Sequence, residues 1–158
     1  MPTFLRNCLA ILAGIFVGSL VNFAIILAGP MIIPLLEGID LSDMEQFAEN
    51  LKRLPAKNFI APWLAHAMGT LAGAALASRI STSHSIAMAL AVSAFFLAGG
   101  IAMVANYGGP IEFAVLDLVG AYAPMGLLGG WLGRSRLGPP TNERDPIEKT
   151  STDSCETQ

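Results

Sequence analysis

Three polar side chains, Asn22, His66 and Asp117, stand inside long apolar stretches of this 158-residue chain. His66 lies in the stretch PWLAHAMGTLAGAALASR, and Asp117 begins the stretch DLVGAYAPMG. An imidazole titrates near neutral pH, so that a histidine and an aspartate together can relay protons or act as acid and base. One histidine and one aspartate are too few to define a metal site, and we predict neither a metal ion nor a cofactor.

The composition indicates that a lipid bilayer surrounds these groups. Hydrophobic residues make up 53% of the chain and charged residues 13%, with a mean hydropathy of +0.57, whereas soluble domains carry about 25% charged residues. About 20 apolar residues suffice to cross the hydrocarbon core. We therefore predict an all-α, four-span transmembrane helix bundle, with spans at about residues 8–29, 59–78, 85–105 and 112–133.

The four spans leave little of the chain for anything else. We predict one transmembrane domain, residues 1–136, and a polar, disordered cytoplasmic tail, residues 137–158. The loop after the first span reads EGIDLSDMEQFAENLKRLPAK, which predicts a short amphipathic outer-loop helix with Ser42 and Glu45 as its capping box. This helix is either a connector or a lid. LAGP weakly resembles YGGP, and LAHAMG can be aligned with LDLVG so that His66 matches Asp117. A further hypothesis is therefore that the chain consists of two parallel two-helix repeats.

Basic residues indicate the orientation of the bundle, because Lys and Arg close to span ends are held on the cytoplasmic side. We predict that both termini are cytoplasmic. The supporting residues at that side are Arg6, Arg79, Arg134 and Arg136, against Lys52, Arg53 and Lys57 in the first outer loop. Scattered basic residues and a net charge of −3 give no surface for nucleic acid. Cys8 and Cys155 lie far apart on a reducing side, so we expect no disulfide.

Distance from the outer end of each span predicts one polar layer in the outer third of the membrane. Its members are Asn22, His66, Thr70, Asp117 and Tyr122. Residues four apart share a helix face, so His66 and Thr70 point the same way, whereas Tyr122 is five after Asp117 and should be only loosely aligned with it. An ionised aspartate at mid-membrane costs about 2.5–3.5 kcal/mol and an interhelical hydrogen bond returns about 0.6 kcal/mol. Asp117 is therefore protonated, paired with His66, hydrated near the surface, or facing a water-filled cavity.

Small residues recur every four positions in three of the spans. Such rows let helices approach closely in lipid, where no hydrophobic force drives them together. We predict that they pack a tight bundle or a homo-oligomer of bundles. The glycines concerned are Gly14, Gly18, Gly69, Gly73, Gly126, Gly129, Gly130 and Gly133.

The chain resembles small four-helix membrane proteins of bacteria in three stretches, PAKNFIAPWLAHAMGTLAGA, FFLAGGI and DLVGAYAPMGLLGG. The resemblance covers roughly residues 8–133. It implies a bacterial inner-membrane location and no assigned activity.

Three functions remain open for such a chain. We predict the first, a packing or accessory component of a larger membrane assembly, because of the rows of small residues and the lack of a catalytic motif. The second is a small oligomeric proton-linked channel or transporter, which the polar layer favours. An intramembrane enzyme is the third, although HExxH, a cysteine cluster and a nucleophile elbow are all missing from the sequence, and we predict that the protein is not an enzyme.

Overall fold

The computed structural model describes residues 2–134, and the predicted tail lies outside the described residues. This part of the chain is helical and holds no strand. Its helices are α1 (Thr3–Ile32), α2 (Phe47–Arg53), α3 (Ile60–Ile80), α4 (Ser85–Tyr107), α5 (Ile111–Asp117) and α6 (Ala123–Gly133). A 3₁₀ turn, Ala56–Phe59, leads into α3, and a π-helical turn, Leu118–Tyr122, joins α5 to α6 into one continuous span.

Four helical stretches are long and apolar enough to cross a membrane. They are Thr3–Ile32, Ala56–Ile80, Ser85–Tyr107 and Ile111–Gly133. The predicted all-α bundle with four spans is confirmed, and each stretch contains the corresponding predicted span. The first extends furthest beyond its prediction: α1 begins five residues earlier, at Thr3, and continues past Pro30 to end at Ile32. A proline removes only one hydrogen bond of the helical ladder, so two further residues can follow it.

Helix α3 is the centre of the bundle and packs against α1, α4 and α6. The face that it buries consists of small side chains, because every neighbouring helix approaches it closely. Its buried residues are Ala65, Ala67, Gly69, Thr70, Gly73, Ala74, Ala77 and Ser78. Ser78 also donates a hydrogen bond of 2.8 Å to the carbonyl oxygen of Gly130.

The predicted packing glycines lie where helices of this chain touch one another. On α1 and α3, a Cβ on Gly18 would come within 2.7 Å of the carbonyl oxygen of Gly69, and a Cβ on Gly69 within 2.8 Å of that of Gly18. The same relation holds one turn deeper for Gly14 and Gly73. The four glycines of α6 face α3 and α4 in the same way: Gly126, Gly129, Gly130 and Gly133. The glycines of these rows therefore make contacts between helices of the same chain.

The outer loop contains the predicted short helix, but the expected capping box is wrong. Asp40 accepts hydrogen bonds from the Ser42 hydroxyl at 2.7 Å and from the Ser42 amide at 2.8 Å. Ser42 therefore forms a turn with Asp40 and does not cap α2. Helix α2 begins at Phe47, whose ring packs edge-on against Tyr107 with centroids 5.1 Å apart. This contact holds α2 on the outer end of α4.

The opposite end of the bundle gathers polar contacts between α1 and the connection from α3 to α4. The Arg6 guanidinium donates to the carbonyl oxygen of Ile80 at 2.8 Å, and the Asn7 amide donates to the Ser83 hydroxyl at 3.1 Å. Arg79 and Arg134 end α3 and the last span at this same end. Of the basic residues predicted to share one side of the membrane, Arg6, Arg79 and Arg134 therefore share one end of the molecule, and Arg136 lies outside the described residues.

Candidate functional site

His66 and Asp117 form a hydrogen-bonded pair between α3 and the end of α5. Nδ1 of His66 lies 2.8 Å from each carboxylate oxygen of Asp117. The Asp117 side chain is 3% exposed and that of His66 is 24% exposed. A buried carboxylate without a partner is expensive in a membrane, and the imidazole supplies that partner. Of the four environments considered for Asp117, the structure places it in a pair with His66 at the edge of a cavity.

Tyr122 joins the pair, and the expected loose alignment with Asp117 was wrong. Its hydroxyl donates to Oδ2 of Asp117 at 3.1 Å, and its ring stacks on His66 with centroids 5.7 Å apart. The π-helical turn Leu118–Tyr122 explains the difference, because residues five apart face the same side of a π-helix. The sequence carried a signal for it in Pro124, which lacks an N–H. In a regular α-helix the ring of this proline would clash with the carbonyl of Gly120.

Helix α4 supports Tyr122 through two small residues that sequence reasoning did not single out. A Cβ on Gly100 would come within 2.8 Å of Cζ of Tyr122 and would collide with its hydroxyl. The Ser93 hydroxyl donates to the carbonyl oxygen of Tyr122 at 2.9 Å. That carbonyl lies at the end of the π turn, so Ser93 ties the turn to α4. Both residues therefore fix the position of the tyrosine.

The remaining predicted residues are not bonded to this cluster. Asn22 of α1 lines the same cavity but makes no hydrogen bond to the pair. Thr70 is fully buried one turn below His66, and its hydroxyl has no hydrogen-bond partner among the described residues. The predicted polar layer is thus a bonded group of three, His66, Asp117 and Tyr122, with Asn22 across the cavity and Thr70 apart.

A cavity of about 1140 Å³ occupies the outer half of the bundle. His66, Asp117 and Tyr122 line its inner end, and the outer loop, including Asp40, lines its outer end. Phe23 of α1 and Phe95 of α4 also line it, and they are 59% and 54% exposed. The cavity therefore opens sideways between α1 and α4 as well as toward the outer loop.

The inner half of the same three helices is closed. The lining of the cavity begins at Ser19 on α1 and at Phe95 on α4, and on α3 it reaches no deeper than His66. Just below, a Cβ on Gly18 would lie 2.8 Å from the ring of Phe96. One turn deeper, Gly14 is equally close to α3 and α4. The cavity thus ends at the polar cluster and does not continue to the inner end along these helices.

Among residues 2–134, no group of three or more His, Cys, Asp and Glu side chains is placed to hold a metal ion. No family model, curated protein or solved structure matches this chain.

Proposed function

We propose that this chain is a small proton-linked membrane transporter, and that the His66–Asp117 pair is its proton-binding site. The observation that carries the proposal is the position of the pair: Asp117 is buried, and the pair lies at the inner end of a large cavity. A pair that only fastened two helices together would need no cavity. An intramembrane pair of ionisable groups that meets a cavity is the usual arrangement of a proton-coupled site.

The closed inner half favours a transporter over a channel. A channel needs a continuous path across the membrane, whereas the glycine contacts of α1 with α3 close the bundle below the pair. A transporter holds its site open to one side at a time, and this form is open to the outer side. The inward-open form then requires α1 to separate from α3 in the inner half.

The proposed location is a bacterial inner membrane with both termini in the cytoplasm. The resemblance to bacterial four-helix proteins supports the membrane, and the shared end of Arg6, Arg79 and Arg134 supports the orientation. In this orientation the cavity opens to the outside of the cell and to the outer leaflet.

Proton flux into liposomes tests the proposal. We would compare wild-type protein, Asp117→Asn and a matched control, Glu112→Gln, which makes the same carboxylate-to-amide change at an exposed acid in the first turn of α5. The three proteins would first be shown to fold and insert equally. A pH-sensitive dye inside the liposomes would then report proton flux under pH gradients imposed in either direction. We expect flux above empty liposomes for wild type and Glu112→Gln, and its loss in Asp117→Asn. Equal flux in all three proteins, or none above empty liposomes with several ions present, would contradict the proposal.

An accessory role in a larger assembly is the second candidate, and one observation favours it. The lipid-facing side of α4 carries a row of exposed alanines, and small residues on an exposed face allow another helix to approach closely. These alanines are Ala87, Ala94, Ala98, Ala102 and Ala105. Replacement of Ala94 by Leu should then release a partner, or a second copy, that co-purifies in mild detergent. Unchanged association would count against this role.

A further inference from the structure

We propose that the cavity binds a lipophilic organic cation, which replaces the proton held by His66 and Asp117. This inference rests on the proposed proton-linked function and names the class of substrate. The volume of about 1140 Å³ lies just above the range of about 300–1,000 Å³ usual for drug-sized ligands. A bare ion needs no such space.

Aromatic side chains are concentrated in the walls of the cavity. Six of the chain's eight phenylalanines line this one cavity: Phe23, Phe47, Phe59, Phe95, Phe96 and Phe113. The face of an aromatic ring attracts a cation, and the attraction grows when the cation is desolvated. Aliphatic side chains would accept a neutral hydrocarbon equally well, so the concentration of rings favours a cation that is itself apolar.

Charge at both ends of the cavity points to the same class. Asp117 lies at the inner end, and Asp40 lines the outer end. Apart from Glu112 and Asp117, every acidic residue in 2–134 lies between α1 and α3, where five acids face three bases. Such a mouth concentrates cations. Asn58 also lines the cavity, and its buried side-chain carbonyl oxygen accepts no hydrogen bond from the described residues.

The exchange balances in charge. The His66–Asp117 pair holding one proton is neutral overall, whether that proton resides on the imidazole or on the carboxyl group. A monovalent cation that takes its place leaves Asp117 ionised and His66 neutral, and one proton leaves to water. The charge inside the membrane is unchanged, so the exchange avoids the cost of adding an uncompensated charge there.

The side chains that line the cavity indicate that the His66–Asp117 pair is the group that exchanges its proton for the cation. The titratable side chains that line the cavity are His66, Asp117, Tyr122 and, at the outer end, Asp40. Helix α1 presents Ser19 and Asn22 there, which carry no charge, and α4 presents aromatic, small and aliphatic residues. Protons therefore compete with the cation at one place, and affinity for the cation should fall as the pH is lowered.

Binding of tetraphenylphosphonium to the full-length protein in lipid nanodiscs tests this inference. Calorimetry in weak buffer would give the affinity and the protons released, with triphenylphosphine oxide as a neutral probe of related shape. We expect close to one proton released per bound cation. Asp117→Asn should weaken binding about tenfold or more, Glu112→Gln should not, and the neutral probe should release no proton.

A second pair of variants tests the aromatic wall. Phe95→Leu removes a ring from the cavity, whereas Phe16→Leu makes the same change on α1 at a residue that does not line it. We expect several-fold weaker cation binding for Phe95→Leu only.

The outcomes separate the two claims. Absent binding of tetraphenylphosphonium, equal binding in Asp117→Asn, or equal binding of the neutral probe without proton release would each overturn the cation inference. The Asp117-dependent flux in liposomes would then still stand. Absence of flux from the wild-type protein would by itself contradict the proposed function, while cation binding in nanodiscs would still be measured directly.

Discussion

At the residue scale, the position of one hydroxyl decides how Asp117 is held. Tyr122 donates to Asp117 while its ring covers His66, and it can do both because Gly100 leaves room for the hydroxyl. A Cβ on Gly99, the preceding residue of α4, would meet no atom within 4 Å and would face open space. Neighbouring glycines of one helix therefore have opposite tolerance for a methyl group.

We expect Gly100→Ala to destabilise the protein by about 1–3 kcal/mol, because the new methyl group overpacks against Tyr122. Gly99→Ala gains the same helix propensity and meets nothing, so it should stay within about 0.5 kcal/mol of wild type or be slightly more stable. Thermal unfolding in detergent measures the difference. Equal melting temperatures for the two variants would show that Tyr122 is not confined as described.

Asp40 carries the other residue-scale prediction, because it lines the outer end of the cavity. The Ser42 hydroxyl, and then the Ser42 amide, hold the pKa of Asp40 below its usual value by hydrogen bonding to the carboxylate. The bonds therefore stabilise the turn above the usual pKa, and this contribution is lost as the pH falls through the lowered pKa.

Ser42→Ala should raise the pKa of Asp40 toward its usual value, since the stronger of the two donors is lost. Carboxyl-carbon NMR of Asp40 over a pH titration measures the shift. Thr82→Ala, at an exposed site on the opposite end of the bundle, is the control and should leave the titration unchanged. An unaltered Asp40 curve in Ser42→Ala would mean that the turn does not hold the carboxylate in solution.

At the element scale, the π turn Leu118–Tyr122 aligns the last span with the rest of the bundle. A π turn is equivalent to one extra residue inserted into an α-helix. Removal of Val119, which is exposed to lipid, should convert the turn to regular α-helix and leave Asp117 and the tyrosine four apart, on one face. Both halves of the span would keep their faces toward α3 and α4.

We expect deletion of Val119 to be tolerated and deletion of Leu127 not to be. Leu127 is also exposed and apolar, but it lies within regular α6, where one missing residue rotates everything beyond it by about 100°. Gly129, Gly130 and Gly133 would then lose their contacts. Yield of folded protein and melting temperature measure both effects. If the two deletions are equally damaging, the π turn does not act as an insertion.

The elements themselves were predictable, since long apolar runs in a chain with few charges leave helices as the solution in lipid. The pairing of His66 with Asp117 was also among the arrangements that depth alone suggested. The approach of Tyr122 was not, because a helical wheel assumes a constant rotation of about 100° per residue and the π turn changes that rotation. Nor does spacing reveal Gly100 or the cavity, which depend on how far apart α1 and α4 lie in the outer half.

At the scale of the whole molecule, packing and charge both divide the bundle into two halves. The inner half is closed by glycine contacts and ends in Arg6, Arg79 and Arg134. The outer half is opened by the cavity and ends in the acidic loop. Basic residues near span ends are retained on the cytoplasmic side. The same asymmetry that supports the proposed orientation therefore also predicts which side of the membrane the cavity faces.

Cysteine labelling in intact cells checks this orientation. In a background with Cys8 and Cys155 replaced by serine, Glu37→Cys places a thiol in the outer loop and Thr82→Cys places one at the arginine-bearing end, and both positions are exposed. An impermeant maleimide should label Glu37→Cys directly and Thr82→Cys only after the membrane is permeabilised. The reverse pattern, or equal labelling of both, would turn the cavity toward the cytoplasm in some or all copies. A cation would then be bound from the inside, and the proton released on its binding would enter the cytoplasm.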